Sequence, residues 1–165
     1  MKEQVSQQLY AYWNGVRGER MAPQRFEIEP SRIAAILPDT FILEAIDQDT
    51  ARFRLAGTRI CEAFAAEFRG VNFFELFPVI DRAELKAQVA TISTQGAAGV
   101  FTIEASTAEG KSALFEVLLT PLIHTREQAD RFLGALTPIG RPDWLGYQPL
   151  TITRLKHTEL IWPVG

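Results

Sequence analysis

Between residues 2 and 17 the apolar side chains Val5, Leu9, Tyr12, Trp13 and Val16 recur at spacings of three and four. This periodicity predicts an amphipathic helix that Gly18 ends. Residues 21–29 contain Pro23 and show no period, which predicts a connector. Pro30 suits the first turn of a short helix with Ile33, Ile36 and Leu37 on one side, stopped by Pro38 and Asp39. Residues 40–46 and 51–56 read as two strands joined by a polar turn, with Phe53 and Leu55 alternating against Arg52 and Arg54. Gly57 is expected to end the second strand and permit an abrupt bend.

The next stretch, residues 57–77, reads GTRICEAFAAEFRGVNFFELF and holds five of the eleven phenylalanines of the chain. A short helix, a Gly-Val-Asn turn and a second aromatic turn are predicted here. So much apolar area belongs against a concave sheet or around a pocket. A helix over residues 81–95 follows. Asp81 and Glu84 are placed as a capping box, Leu85, Val89 and Ile92 mark the inner face, and Gly96 is the stop. Three strands are then predicted over residues 98–106, 112–123 and 132–138, joined by a tight hairpin at TAEGK and a longer one at HTREQAD. Residues 150–155 fit either a sixth strand or an extended arm. Two strands, a helical crossover and a three-stranded meander make an α+β fold, an antiparallel sheet with helices on one face. The corresponding division is an N-terminal helix and connector over 1–29, a core domain over 30–139 and a C-terminal extension over 140–165.

Composition narrows the function classes. A chain of 165 residues is long enough to bury a substantial core, and its net charge of −3 removes the usual electrostatic basis for nucleic-acid binding. The single cysteine, Cys61, rules out an internal disulfide. The start MKEQVSQQ lacks an apolar core, and no apolar run reaches the ~20 residues that span a bilayer. The expected location is the cytoplasm, with neither membrane nor nucleic acid as partner.

The element order, together with YWNGVRGERMAPQRFEIEPSRIAAILP over residues 12–38, the aromatic stretch over 57–77 and FLGALTPIG over 132–140, resembles the PAS domain. It looks more narrowly like bacterial proteins in which a PAS fold of this length stands almost alone. The resemblance implies a five-stranded antiparallel sheet curled around short helices and a connecting helix. The cavity between them holds haem, flavin, a metabolite or nothing. It also implies signalling through the sheet face or flanking helices, often with dimerisation.

Each candidate chemistry can be weighed on particular residues. Light-sensing PAS domains carry a reactive cysteine in a Gly-X-Asn-Cys motif; the matching segment here is Gly70, Val71, Asn72 and Phe73. Phenylalanine forms no thiol adduct, so that flavin photocycle is not expected. Haem is not expected either, because the helix over 81–95 has no histidine, His124 sits at a strand end beside a polar loop and His157 lies in the tail. Two histidines so far apart with one cysteine also make a poor metal site. Nucleophile-elbow, Walker and dinucleotide motifs are absent from the sequence. Glu44, Glu104 and Glu116 lie within predicted strands and read as outward charges.

The cofactor is left unassigned, and a small apolar ligand is the class that the aromatic stretch suits. The pocket candidates are Cys61, Phe64, Phe68, Phe73 and Phe77 on the helical side, with Phe53, Phe101, Ile103 and Leu133 on the sheet side. The N-terminal helix is either a lid on its own core or a dimer or partner surface through Val5, Leu9, Tyr12, Trp13 and Val16. The expected function is a non-catalytic sensor or adaptor acting through a protein partner or a second copy of itself. The alternatives are a small cone-shaped α+β enzyme of the steroid-isomerase-like kind, which needs a buried carboxylate pair, and a purely structural interaction module.

Overall fold

The computed structural model describes residues 1–163; the C-terminal extension expected over 140–165 therefore ends two residues outside them. Three α-helices, α1 (Gln4–Arg17), α2 (Thr58–Phe64) and α3 (Val79–Gln95), accompany six strands. The strands are β1 (Thr40–Asp47), β2 (Thr50–Ala56), β3 (Ala98–Ser106), β4 (Ser112–Leu122), β5 (Arg131–Ile139) and β6 (Thr151–Ile161). They form one sheet in the order β2-β1-β5-β4-β3-β6, antiparallel at every pairing. The sheet is thus the expected antiparallel one with β6 added at the β3 edge.

Helices cover both faces of this sheet, whereas the sequence pattern suggested one. On the inner face, α2, α3 and the 3-10 turn Phe73–Leu76 pack on Phe41, Phe53, Phe101, Ile103, Phe115 and Phe132. On the outer face, α1 and Ile28, Ile33 and Ile36 pack on Ile42, Val100, Leu118, Leu122 and Leu133. A sheet covered on both sides buries both sets of alternating residues, which explains why β4 and β5 read as nearly continuous apolar runs.

Three local expectations change. A register shift pairs Ile42 with Leu55 but Leu43 with Phe53, so Arg54 is the extra residue of a bulge. The bulge reverses the alternation, and Leu55 is exposed while Phe53 is buried. Gly57 has an ordinary extended backbone. It is needed because a Cβ there would stand 2.2 Å from the carbonyl oxygen of Pro38. Helix α3 starts at Val79 with Pro78 as N-cap, so Asp81 lies in its first turn instead of capping it. The Asp81 carboxylate instead accepts the backbone N–H of Leu155 at 2.8 Å and pairs with Arg154 at 3.3 Å. Gly96 ends the helix as expected.

Candidate functional site

The aromatic stretch does become the helical wall opposite the sheet, and its local chemistry explains how. Asn72 caps the Phe73–Leu76 turn by accepting the Phe74 N–H. The same oxygen accepts the Ala51 N–H at 3.0 Å, and the Asn72 amide donates to the Asp49 carbonyl at 2.9 Å. The Phe53 N–H donates to Val71 and the Gly70 N–H to Phe53, so residues 70–72 also cover the free edge of β2. One asparagine therefore fixes the aromatic turn to the β1–β2 hairpin.

Behind that staple the rings form a continuous chain. Phe64 contacts Phe115 at a centroid distance of 5.0 Å and Phe68 at 5.4 Å. Phe68 reaches Phe53 at 5.3 Å, Phe53 reaches Phe41 at 5.5 Å, and Phe73 packs edge-on against Phe77 at 5.3 Å. Phe101 and Ile103 are fully buried in the same cluster. Cys61 packs at its margin, half-buried, and burial together with the Glu67 carboxylate pushes its thiol pKa up. The structure therefore brings together eight of the nine expected pocket residues. Leu133 is the exception: it belongs to the outer-face cluster under α1, and its neighbour Phe132 is the inward residue.

The space these rings enclose is small. The void lined by Phe41, Phe53, Phe64, Phe68, Phe73 and Ile103, among others, measures about 20 Å³. That is room for about one water in a wholly apolar setting, and such voids stay dry. The PAS-like chamber is filled by its own phenylalanines. Phe41 and Phe115, which close the packing from the sheet side, were not among the candidates. The alternation Phe115-Val117-Leu119 in β4 is the signal that marks the latter as inward.

The partner-surface candidates divide in a similar way. Leu9 and Trp13 are fully buried in the chain itself, and the Trp13 indole N–H donates to the Pro121 carbonyl at 2.8 Å. That burial removes both residues from any surface a partner could reach. Val5, Tyr12 and Val16 are half-buried, and the Tyr12 hydroxyl accepts the Glu29 N–H. The sequence pattern missed Phe26, which is 81% exposed beside Tyr12 and Val16 across a shallow groove.

Charged groups inside the fold are individually bound. Glu116, read as an outward charge, is on the outer face but buried beneath α1, where its two oxygens accept the N–H groups of Lys2 and Glu3 at 2.8 and 2.9 Å. Glu44 pairs with Arg54 at 2.9 Å and Arg131 at 3.0 Å on the outer face. Asp39 pairs with Arg59 at 2.7 Å. Among the described residues no three His, Cys, Asp or Glu side chains gather as a metal site, and no helix is long and apolar enough to cross a membrane.

Comparison with known proteins agrees with this geometry. Curated protein sequences give no match. The fold is similar to that of the Rhodobacter sphaeroides LOV protein, at 14% identity over 70% of this chain and 71% of that one, with a TM-score of 0.50. It is also similar to the PAS domain of an HTR-like protein from Haloarcula marismortui, at 22% identity over 70% of this chain and 95% of that one, with a TM-score of 0.46. A family profile described as PAS domain matches residues 1–137, so the chain belongs to the PAS domain family.

Proposed function

We propose that this protein is a sensor-type signalling module of the PAS kind that works in the cytoplasm through protein–protein contacts and performs no chemistry of its own. The observation that carries this reading is the filled interior. Phenylalanine rings occupy the volume where a cofactor would sit and leave about 20 Å³. Meanwhile an aromatic side chain, Phe26, stands out into solvent beside α1. A packed core with an exposed aromatic on its flank suits a contact module better than a cofactor chamber.

The contact surface is the outward side of α1 with the adjoining connector, formed by Tyr12, Val16 and Phe26, and a second copy of the chain is its expected occupant. Sedimentation velocity and native mass spectrometry test this. A wild-type dimer that Phe26→Asp converts to a folded monomer supports the reading. A wild-type chain that stays monomeric at high micromolar concentration, with no partner contact sensitive to Phe26→Asp, overturns it.

The enzyme alternative requires two carboxylates sharing one cavity. The buried carboxylates Asp39, Asp81, Glu116 and Asp130 instead sit in separate places, each engaged by its own donors. This spacing favours the contact-module reading.

A further inference from the structure

Outside the filled core, a cleft lies between α2, the end of β5 and the segment 141–147 that leads towards β6. Its volume is about 610 Å³, within the range of small-molecule sites. Phe64, Phe115 and Leu136 form its floor. Phe64 and Leu136, with Ile60, also line the interior void, so the cleft and the core are separated by a single layer of side chains. The overhanging segment is held down by Trp144 and Leu145, which pack on the inner core, while Tyr147 at the mouth is 83% exposed.

The polar wall of this cleft is built around one buried group. The Asp39 side chain is only 4% exposed, and Arg59 is the partner of its Oδ2. Its other oxygen accepts no hydrogen bond from any described residue and keeps contact with solvent. A carboxylate oxygen that keeps solvent contact at the wall of a cleft can take a donor that enters it. The remaining charges set the sign of that donor. Glu62 and Asp143 stand at the rim against Arg141, so with the Asp39–Arg59 pair neutral the cleft has an excess of one acid. A floor backed by the nearly buried Phe64 and Phe115 rings, a mixed wall with one acid in excess and an exposed tyrosine ring at the mouth together suit a cation on an apolar body.

We propose that this cleft binds a small apolar amine, its ring or chain lying on Phe64, Phe115 and Leu136 and its ammonium group donating to the free oxygen of Asp39. The amine is the input of the signalling module, which rests on the reading given above, although binding itself can be measured without it. The site lies outside the aromatic chamber, so the core can stay packed while a ligand comes and goes. Gly146 brings the overhanging segment against α2, where a Cβ would lie 3.2 Å from the Glu62 carbonyl oxygen. An occupant would therefore press on both elements at once.

Three probes of similar size separate the possibilities: 2-phenylethylamine, 2-phenylethanol and 3-phenylpropionate. Each is titrated into uniformly 15N-labelled full chain and followed by amide shifts, with calorimetry for affinity. The amine is expected to shift amides around residues 60–65 and 141–147, binding about tenfold or more tightly than the alcohol and more tightly still than the acid. Asp39→Asn should abolish the preference for the amine. Because Asp39 also holds Arg59, the exposed-residue variants Glu62→Gln and Tyr147→Ala serve as fold-neutral checks, each weakening the amine several-fold. Equal or tighter binding of the acid overturns the assigned class, and shifts outside the cleft, or none with any probe, overturn the site. Amine binding in the cleft that leaves oligomeric state and partner contacts unchanged supports the site and sinks only the signalling reading.

Discussion

The carboxylate of Asp81, in the first turn of α3, accepts the backbone N–H of Leu155 at 2.8 Å, next to the register shift that inserts Lys156 into β6. A helix on the inner face thereby holds an edge strand at the place where its pairing with β3 slips. Arg154 on the same strand pairs with the same carboxylate, and Thr158 donates to Glu84 one turn further along α3. The sixth strand is joined to the five-stranded core by side chains as well as by its ladder.

Replacing Asp81 by Ala leaves the buried Leu155 N–H without an acceptor. The expected cost is about 1–3 kcal/mol. Urea unfolding should report that loss, and hydrogen exchange should show protection falling first in β6. A loss spread evenly over all six strands would show that the clamp is not local.

Gly134 in β5 accommodates the Phe41 ring of β1. A Cβ at this position would lie 2.3 Å from the ring and 2.7 Å from the Leu118 carbonyl oxygen. Gly134→Ala is expected to destabilise the chain by about 1–3 kcal/mol through overpacking. Adding Phe41→Leu should recover part of this, since the ring can be shortened but the carbonyl remains. Chemical denaturation of the single and double variants measures the coupling.

Glu116 holds the start of α1 from the outer face of the sheet, so Glu116→Ala strips the acceptors from the Lys2 and Glu3 N–H groups. The expected outcome is a loss of about 1–3 kcal/mol, with limited proteolysis moving into residues 1–17 before any other segment. Glu116→Gln, which keeps one acceptor oxygen, should fall between the two. An unchanged cleavage pattern in the alanine variant would exclude this anchoring role.

Asp130 sets a pH dependence whose sign can be worked out. Burial raises its carboxyl pKa, but the His124 N–H and the Thr125 hydroxyl and N–H outweigh burial, and the net shift is downward. The folded state therefore binds this proton less readily than the unfolded state. The stability it contributes is present above the unfolded value of about 3.9 and is lost as pH falls through the lower folded value. Thermal melts across the acidic range should show a steeper decline for the wild type than for Asp130→Asn. Parallel curves would remove Asp130 from the acid transition.

Most of the element order was legible in the residues because it rests on local rules. The spacing of Leu9, Trp13 and Val16, the Asp47–Thr50 turn, the Gly-Val-Asn turn at residues 70–72 and the Gly96 stop act within a few residues of themselves. Eight of the nine pocket candidates share one cluster, since so many phenylalanines cannot all face water. What local pattern could not decide was direction. In β5, Phe132 and Leu133 are equally apolar, and only the pairing of Leu133 with Ile42 turns it towards α1. The burial of Glu116 and the exposure of Leu55 were likewise hidden, one behind a helix a hundred residues away and the other behind a bulge.

The sequence by itself determined an α+β order of elements around a phenylalanine-rich wall, and its motifs resemble the PAS domain. Periodicity, turn residues and sheer apolar area are properties of short stretches, and they act before any distant contact forms. Tertiary structure alone decided that the wall closes on itself with about 20 Å³ to spare, and that a cleft of about 610 Å³ opens beside it. Both follow from how closely rings from separate strands and helices pack, and that fit exists only once β1, β4 and α2 stand side by side.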